Sequence, residues 1–239
     1  LATVADSVFL EPLETWMPEL KNYSPTALLG ATSPTDGKVY GSPAVSQTVF
    51  MFYNKDIYKK LGLSIPKTWD EMISNFEAAK KAGYIPLGNG AKDGWCLETM
   101  LGGMGPSLYG GTAFFNDVVA GKKTFQDPAF IAMVEQMKGL TKYMPDMYMG
   151  ISYEDMRSNF FNELSPHLIA GSYEAAYFKS QNPALNFDIF AVPGMKATDP
   201  AYVSVYADMN FAMNAKFKNK DAAVKFLKFL SSKEFGKAM

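Results

Sequence analysis

The chain holds one cysteine, Cys96, and one histidine, His167, in 239 residues. A lone cysteine excludes an intramolecular disulfide, and a lone histidine excludes a Cys/His metal cluster of ordinary ligand number, so stability must come from packing. Positive charge is not in excess either: 23 Lys and Arg stand against 24 Asp and Glu. Nothing is left over to neutralise a phosphate backbone or an anionic membrane, so nucleic acid is not the expected partner.

Long apolar runs are scarce. The longest uncharged stretch, Thr99–Asn116, carries five glycines and one proline. It lacks the sustained apolar character of a membrane span and reads as loop and turn. No P-loop, GxSxG, HExxH or GxGxxG string occurs, so phosphate cradling and nucleophile-elbow chemistry lack their usual scaffolds. The first residues, Leu1–Asp6, show neither a basic n-region nor a signal-peptide h-region and read as the end of a helix already under way. That opening predicts a chain that starts in mid-protein.

What is present is an alternation of strand and helix signals. Apolar spacing between Val8 and Leu20, broken by Pro12 and Pro18, predicts a connection followed by a partial helix. From Lys38 to Tyr53, two runs rich in β-branched and aromatic residues flank Pro43 and predict extended chain. Asn54 caps a short helix that Gly62 ends. In PKTWDEMISNFEAAKKAG, Thr68 and Glu71 form a capping box, Met72, Ile73, Phe76 and Ala79 share a face, and Gly83 supplies the stop. A helix starts at Asp127 and Pro128 and runs toward Tyr143, and another starts near Ser152 with Asp155 at N3. HLIAG and FDIFAVP predict strands, VSVYADMNFAMNA an extended passage, and Asp221–Leu230 a helix burying Ala222, Ala223, Phe226, Leu227 and Leu230. The pattern indicates an α/β fold, with no repeat and no linker to mark a boundary.

Several strings in order carry a resemblance: KVYGSPAVSQTVFMFYNKDIYKKLGL, IPKTWDEM, NGAKDGWCLETM, LIAGSYEAAYF, FAVPG and FAMNAKFKNKDAAVKFLKFLSSKE. Together they resemble the ABC-importer solute-binding proteins of the maltose-binding and multiple-sugar-binding kind. The resemblance implies a two-lobed, type II periplasmic-binding-protein-like fold with sugar held in the cleft and the lobes closing by a hinge. It places residues 44–207 in the second lobe, and residues 1–43 and 208–239 in a first lobe that is incomplete here. It implies a mono- or oligosaccharide ligand, permease subunits of an ABC importer as partners, a monomer without cofactor, and an extracytoplasmic location, periplasmic or lipid-anchored at the cell surface.

A sugar offers axial hydrogens to an aromatic face and hydroxyls to planar polar groups. Asp93 and Trp95, in the glycine-bounded KDGWC, lie where the resemblance brings the chain to the cleft, although a tryptophan packing its own loop is the plain alternative. Tyr173 and Glu174 follow Gly171 at a strand-to-helix turn, where relatives place a stacking tryptophan; Glu174 could instead serve the helix N-terminus. Gln47 matches a polar cleft residue on the first crossing segment. Asp208, in an apolar extended run, asks for a partner that a sugar hydroxyl or a buried contact would supply. His167 reads as a satisfied structural residue, and the Met-rich stretch Tyr143–Gly150, like Phe114 and Phe115, as core filler.

Two rival readings stand beside this one. Asp93, Glu98, Glu174 and Asp208 could converge as the paired carboxylates of a glycoside hydrolase, roughly 5 to 9.5 Å apart. Alternatively, the same fold could take a polyamine, a peptide or a metal chelate, for which convergent carboxylates and aromatic cages, or tyrosine pairs, would be required.

Overall fold

The computed structural model describes residues 9–238, so the reading of Leu1–Asp6 lies outside the described residues. The chain divides into two compact units, one built from the chain up to Gln47 and again from Val205, the other from Thr48–Ser204. In chain order the elements are α1 (Pro25–Leu28), β1 (Ser42–Asn54), α2 (Lys55–Leu61), α3 (Trp69–Lys81), α4 (Trp95–Tyr109), α5 (Gly111–Val119), α6 (Pro128–Gly139), α7 (Tyr153–Phe161), β2 (His167–Gly171), α8 (Glu174–Gln181), β3 (Phe187–Phe190), β4 (Val205–Phe211), α9 (Lys220–Leu230) and α10 (Lys233–Ala238). Among the described residues no helix is long and apolar enough to cross a membrane.

The first unit packs Leu13, Met17, Leu20, Ala31, Val39, Met213 and Leu227 into one buried cluster. The spacing before Leu20 predicts a partial helix, but Pro12 and Pro18 allow only a turn and the 3-10 helix Pro18–Asn22. In α9, Leu227 and Leu230 are buried as their spacing predicts, whereas Phe226 is 57% exposed. Lys225 and Lys228 of that helix are exposed, whereas Lys220 pairs with Glu11 at 2.7 Å.

The second unit is organised on β1, flanked antiparallel by β2 and β3. Met51 opposes Ile169 and Phe52 opposes Leu168, so alternate residues feed two cores on opposite faces. Met51 and Ile169 pack with Trp69, Met72 and Phe76 of α3 and with Met100 and Met104 of α4. Phe52, Leu168 and Ala170 pack with Cys96, Met156, Phe160 and Phe178. Beyond β2, Asn89 imitates a further strand: its side chain donates to the Ile169 carbonyl at 2.8 Å and accepts from the Ile169 N–H at 2.9 Å.

Caps set the helix starts. Asn54 accepts from Ile57 N and Gly62 closes α2 in the left-handed region. Ser152 and Asp155 form a complete capping box on α7. At α3, Thr68 accepts from Glu71 N, but the Glu71 carboxylate takes the N–H of Lys67 at 2.6 Å, one residue before the position the box predicts.

The glycine-rich stretch Thr99–Asn116, which composition reads as loop, is instead most of α4 and α5. Its small residues answer to packing. A Cβ on Gly103 would lie 2.6 Å from Ile169 Cγ2 and 2.9 Å from Val49 Cγ1, so only glycine lets the helix sit this close to the sheet. Pro106 inside α4 leaves the Gly102 carbonyl without its helical donor, and Ser204 Oγ supplies one at 2.7 Å.

Candidate functional site

Tyr153, at the first position of α7, lies where three of the six candidate residues meet. Its backbone N–H donates to Asp93 Oδ2 at 2.7 Å. Its hydroxyl donates to Glu174 Oε1. The Trp95 ring packs on it with centroids 4.6 Å apart and planes at 64°. Tyr173 directly precedes Glu174 and caps α8 through backbone alone. Trp95 opens α4 rather than sitting in a loop, and 43% of its surface is exposed.

The turn that carries Tyr173 is tied to the central strand. Ser172 N–H donates to the Thr48 carbonyl at 2.8 Å, and Thr48 N–H donates to Ser172 Oγ at 3.2 Å. A Cβ at Gly171 would overlap the Tyr173 ring, so the ring holds this position only beside glycine. The aromatic ring therefore lies back against the end of β2.

Glu174 is buried, with no exposed side-chain surface. Its second oxygen accepts from Arg157 Nε at 3.0 Å. Burial pushes the carboxyl above its ordinary range, against the pull of the Tyr153 hydrogen bond and of the Arg157 charge. The Tyr153 hydroxyl is likewise raised, by burial first and then by Glu174. Both oxygens of Glu174 are thus engaged within the unit, and Asp93 is engaged at a helix start. Neither stands as one half of an open acid and base pair.

Gln47 and Asp208 belong to the first unit, Gln47 immediately before Thr48 and Asp208 on β4. Asp208 Oδ1 accepts from the N–H of Met209 at 2.8 Å, and Met209 adopts φ +52, an unusual backbone for a non-glycine within a strand. Among the described residues no group of three or more His, Cys, Asp and Glu could hold a metal ion.

His167 is a satisfied core residue, as its apolar strand predicts. Tyr58 Oη lies 2.8 Å from Nε2 and the Pro86 carbonyl lies 2.7 Å from Nδ1. A carbonyl can only accept, so Nδ1 carries the proton and Nε2 accepts from the tyrosine. The Met-rich stretch is not filler throughout: Met144 is buried, but Met147 is 85% exposed in the left-handed region. Phe114 is buried and Phe115 is exposed. Tyr153, Arg157 and Tyr177 were the residues that site reasoning from sequence passed over. Their one signal is the i, i+4 spacing of Tyr153 and Arg157, which sets both on one helix face.

Over residues 1–237 the sequence matches bacterial extracellular solute-binding proteins, and the chain belongs to that family. It is 30% identical over 205 residues to the multiple sugar-binding protein of Streptococcus mutans, a match covering 82% of this chain and 48% of that protein. A solved chitin oligosaccharide binding protein superposes with a TM-score of 0.86 at 24% identity, over 99% of this chain and 61% of that one. RafE in complex with raffinose superposes at 0.82 and 22% identity, over 98% and 62%. These likenesses show the fold, that of type II periplasmic binding proteins. The chain spans about half the length of the curated relatives it matches.

Proposed function

We propose that the protein containing this chain captures a neutral mono- or oligosaccharide and delivers it to the permease subunits of an ABC importer, acting as a monomeric binder without nucleic acid or cofactor. The observation that carries this reading is the exposed Trp95 ring, backed by Tyr153 and bordered by Asp93. An aromatic face beside a carboxylate suits the axial hydrogens and hydroxyl rim of a sugar. The names of the relatives point the same way, since they are described as binding multiple sugars, chitin oligosaccharide and raffinose.

In this reading Thr48–Ser204 supplies the bulk of the second lobe, and the remaining chain supplies part of the first. Trp95 and Tyr173 stack on the sugar and Asp93 takes hydroxyls; Gln47 and Asp208 are the first unit's own candidates for hydroxyl contacts. Glu174 serves the same site from behind.

The test is a calorimetric titration with raffinose and with chitotetraose, run beside an assay for newly released reducing sugar. Saturable binding with no release of reducing ends supports a transport binder. Turnover of either glycan would favour the paired-carboxylate hydrolase instead.

A further inference from the structure

We infer that Glu174 is a positioning residue for the Trp95 platform: a buried carboxylate that holds Tyr153, and through the Tyr153 ring holds Trp95, in one orientation. Its functional meaning rests on the sugar reading above, whereas its geometry does not.

The restraint on Tyr153 comes from three directions. Asp93 Oδ2 takes its backbone N–H at 2.7 Å. Glu174 Oε1 takes its hydroxyl. The Arg157 guanidinium carbon lies 4.8 Å from its ring centroid. Trp95 packs on the same ring, at 4.6 Å between centroids.

Arg157 is itself fixed. Its Nε donates to Glu174 Oε2 at 3.0 Å, its Nη1 donates to Glu154 Oε1 at 3.0 Å, and its guanidinium carbon lies 3.1 Å over the Tyr177 ring. Glu174 is the group common to both restraints, because one carboxylate oxygen serves Tyr153 and the other serves Arg157. An amide in its place offers a single acceptor oxygen, so Tyr153 and Arg157 can no longer each donate to an oxygen of their own, and Arg157 loses its counter-charge.

A buried ion pair is weak evidence for stability, since apolar residues of similar volume often replace one without loss. What this pair adds is orientation. Trp95 is partly exposed and packs its ring on that of Tyr153. An aromatic platform already held in its bound posture loses less freedom when a ligand stacks on it, which is how pre-organisation raises affinity.

The test uses the chain labelled with 5-fluorotryptophan. Its three tryptophans, Trp16, Trp69 and Trp95, give three fluorine resonances, and Trp95→Phe assigns the third. Tyr153→Phe removes only the hydroxyl and keeps the ring; Glu174→Gln keeps the volume and removes the charge. Both are expected to shift or broaden the Trp95 resonance while Trp16 and Trp69 stay in place. Affinity for raffinose or chitotetraose, whichever the unaltered protein binds, should fall by roughly five- to tenfold. A role confined to stability would lower the unfolding midpoint and leave the Trp95 resonance unmoved, and that result in Tyr153→Phe overturns the inference even if Glu174→Gln fails to fold. A moved resonance with unchanged affinity overturns it as well. If the resonance moves and neither sugar binds the unaltered protein, the positioning role stands and the sugar reading fails.

Discussion

The Tyr173 ring lies directly over Gly171, so close that a Cβ at position 171 would overlap its Cε1, Cζ and Cδ1 atoms. The ring cannot keep this place beside any side chain, and Gly171→Ala should rotate it away from the end of β2. Nuclear magnetic resonance of the Tyr173 ring should report the change. If Tyr173 stacks on the ligand, Gly171→Ala weakens sugar binding alongside Tyr173→Ala, each by roughly tenfold, because lost buried area adds to the roughly fivefold, about 1 kcal/mol, that an aromatic platform contributes beyond it. Tyr173→Trp should retain affinity. Equal affinity in Tyr173→Ala and the parent would remove Tyr173 from the site.

Gly90 holds the loop before α7 at close range. A Cβ there would run into the Ile151 carbonyl oxygen and lie 2.6 Å from Ile151 Cγ2, and a backbone carbonyl cannot step aside as a side chain can. Ile151 also accepts from Lys92 N–H at 3.1 Å, so strain at this contact reaches the segment beside Asp93. Gly90→Ala should destabilise by about 1–3 kcal/mol, the usual cost of overpacking. Denaturant unfolding of the variant checks this, and an unchanged midpoint would show that the loop is free to move.

His167 makes stability fall on mild acidification. Burial holds its imidazole well below the usual value of 6.5, down to about 4, although the Pro86 carbonyl pulls the other way. The unfolded chain therefore binds the proton first, and stability is lost as pH drops from about 6.5 toward about 4, with no further loss from this group below that. The full effect is on the order of 3 kcal/mol. Glu174, held above its ordinary range, contributes the opposite slope. The difference between parent and His167→Gln is thus the readout: the variant is less stable at pH 7, and the gap between the two should narrow as pH falls to 4. A gap independent of pH would mean that the histidine is not buried neutral.

Cys96 should be nearly inert in the folded protein. Burial pushes its thiol up to about 11, helped by Asp93 and Glu174 nearby. At pH 8 the thiolate fraction drops about a hundredfold relative to the unfolded chain, and the same burial blocks access. Alkylation by iodoacetamide should follow unfolding, with native protein modified at least a hundredfold more slowly. Rapid labelling without loss of structure would contradict the packing around α4.

Local signals were legible where a short string decides the outcome. Asn54 with Gly62, Asp127 with Pro128 and Ser152 with Asp155 each carry their own capping chemistry, and the structure uses all three pairs. The strand of His167–Gly171 was legible because Leu168, Ile169 and Ala170 form an apolar run that ends at Gly171, and the structure buries all five residues. Thr99–Asn116 was not. Its glycines look like turn residues until Ile169 and Val49 are seen against Gly103, and its proline looks like a break until Ser204 reaches the Gly102 carbonyl. Phe226 deceived for the opposite reason, since spacing places it near the buried stripe of α9 while the unit buries only Leu227 and Leu230 there.

The site was half legible. Trp95 could be singled out because a large ring beside glycines has little local reason to be there. The role of Glu174 depends on Tyr153 and Arg157, 21 and 17 residues earlier in the chain, and no spacing rule joins a carboxylate to a hydroxyl at that separation. Long-range side-chain pairing needs the fold before it can be read.

The central claim is that the ligand is a neutral sugar, and a thermal-shift screen tests it most directly. Raffinose, chitotetraose, spermidine and an oligopeptide would each be titrated against the protein, its Trp95→Ala variant and its Tyr173→Ala variant. A ligand that binds only the folded state stabilises by RT ln(1 + [L]/Kd), so above saturation each tenfold increase in ligand adds about 1.4 kcal/mol. The account predicts a midpoint that rises with a sugar concentration series and a smaller rise in both variants. A rise with spermidine or the peptide and none with any sugar would contradict it.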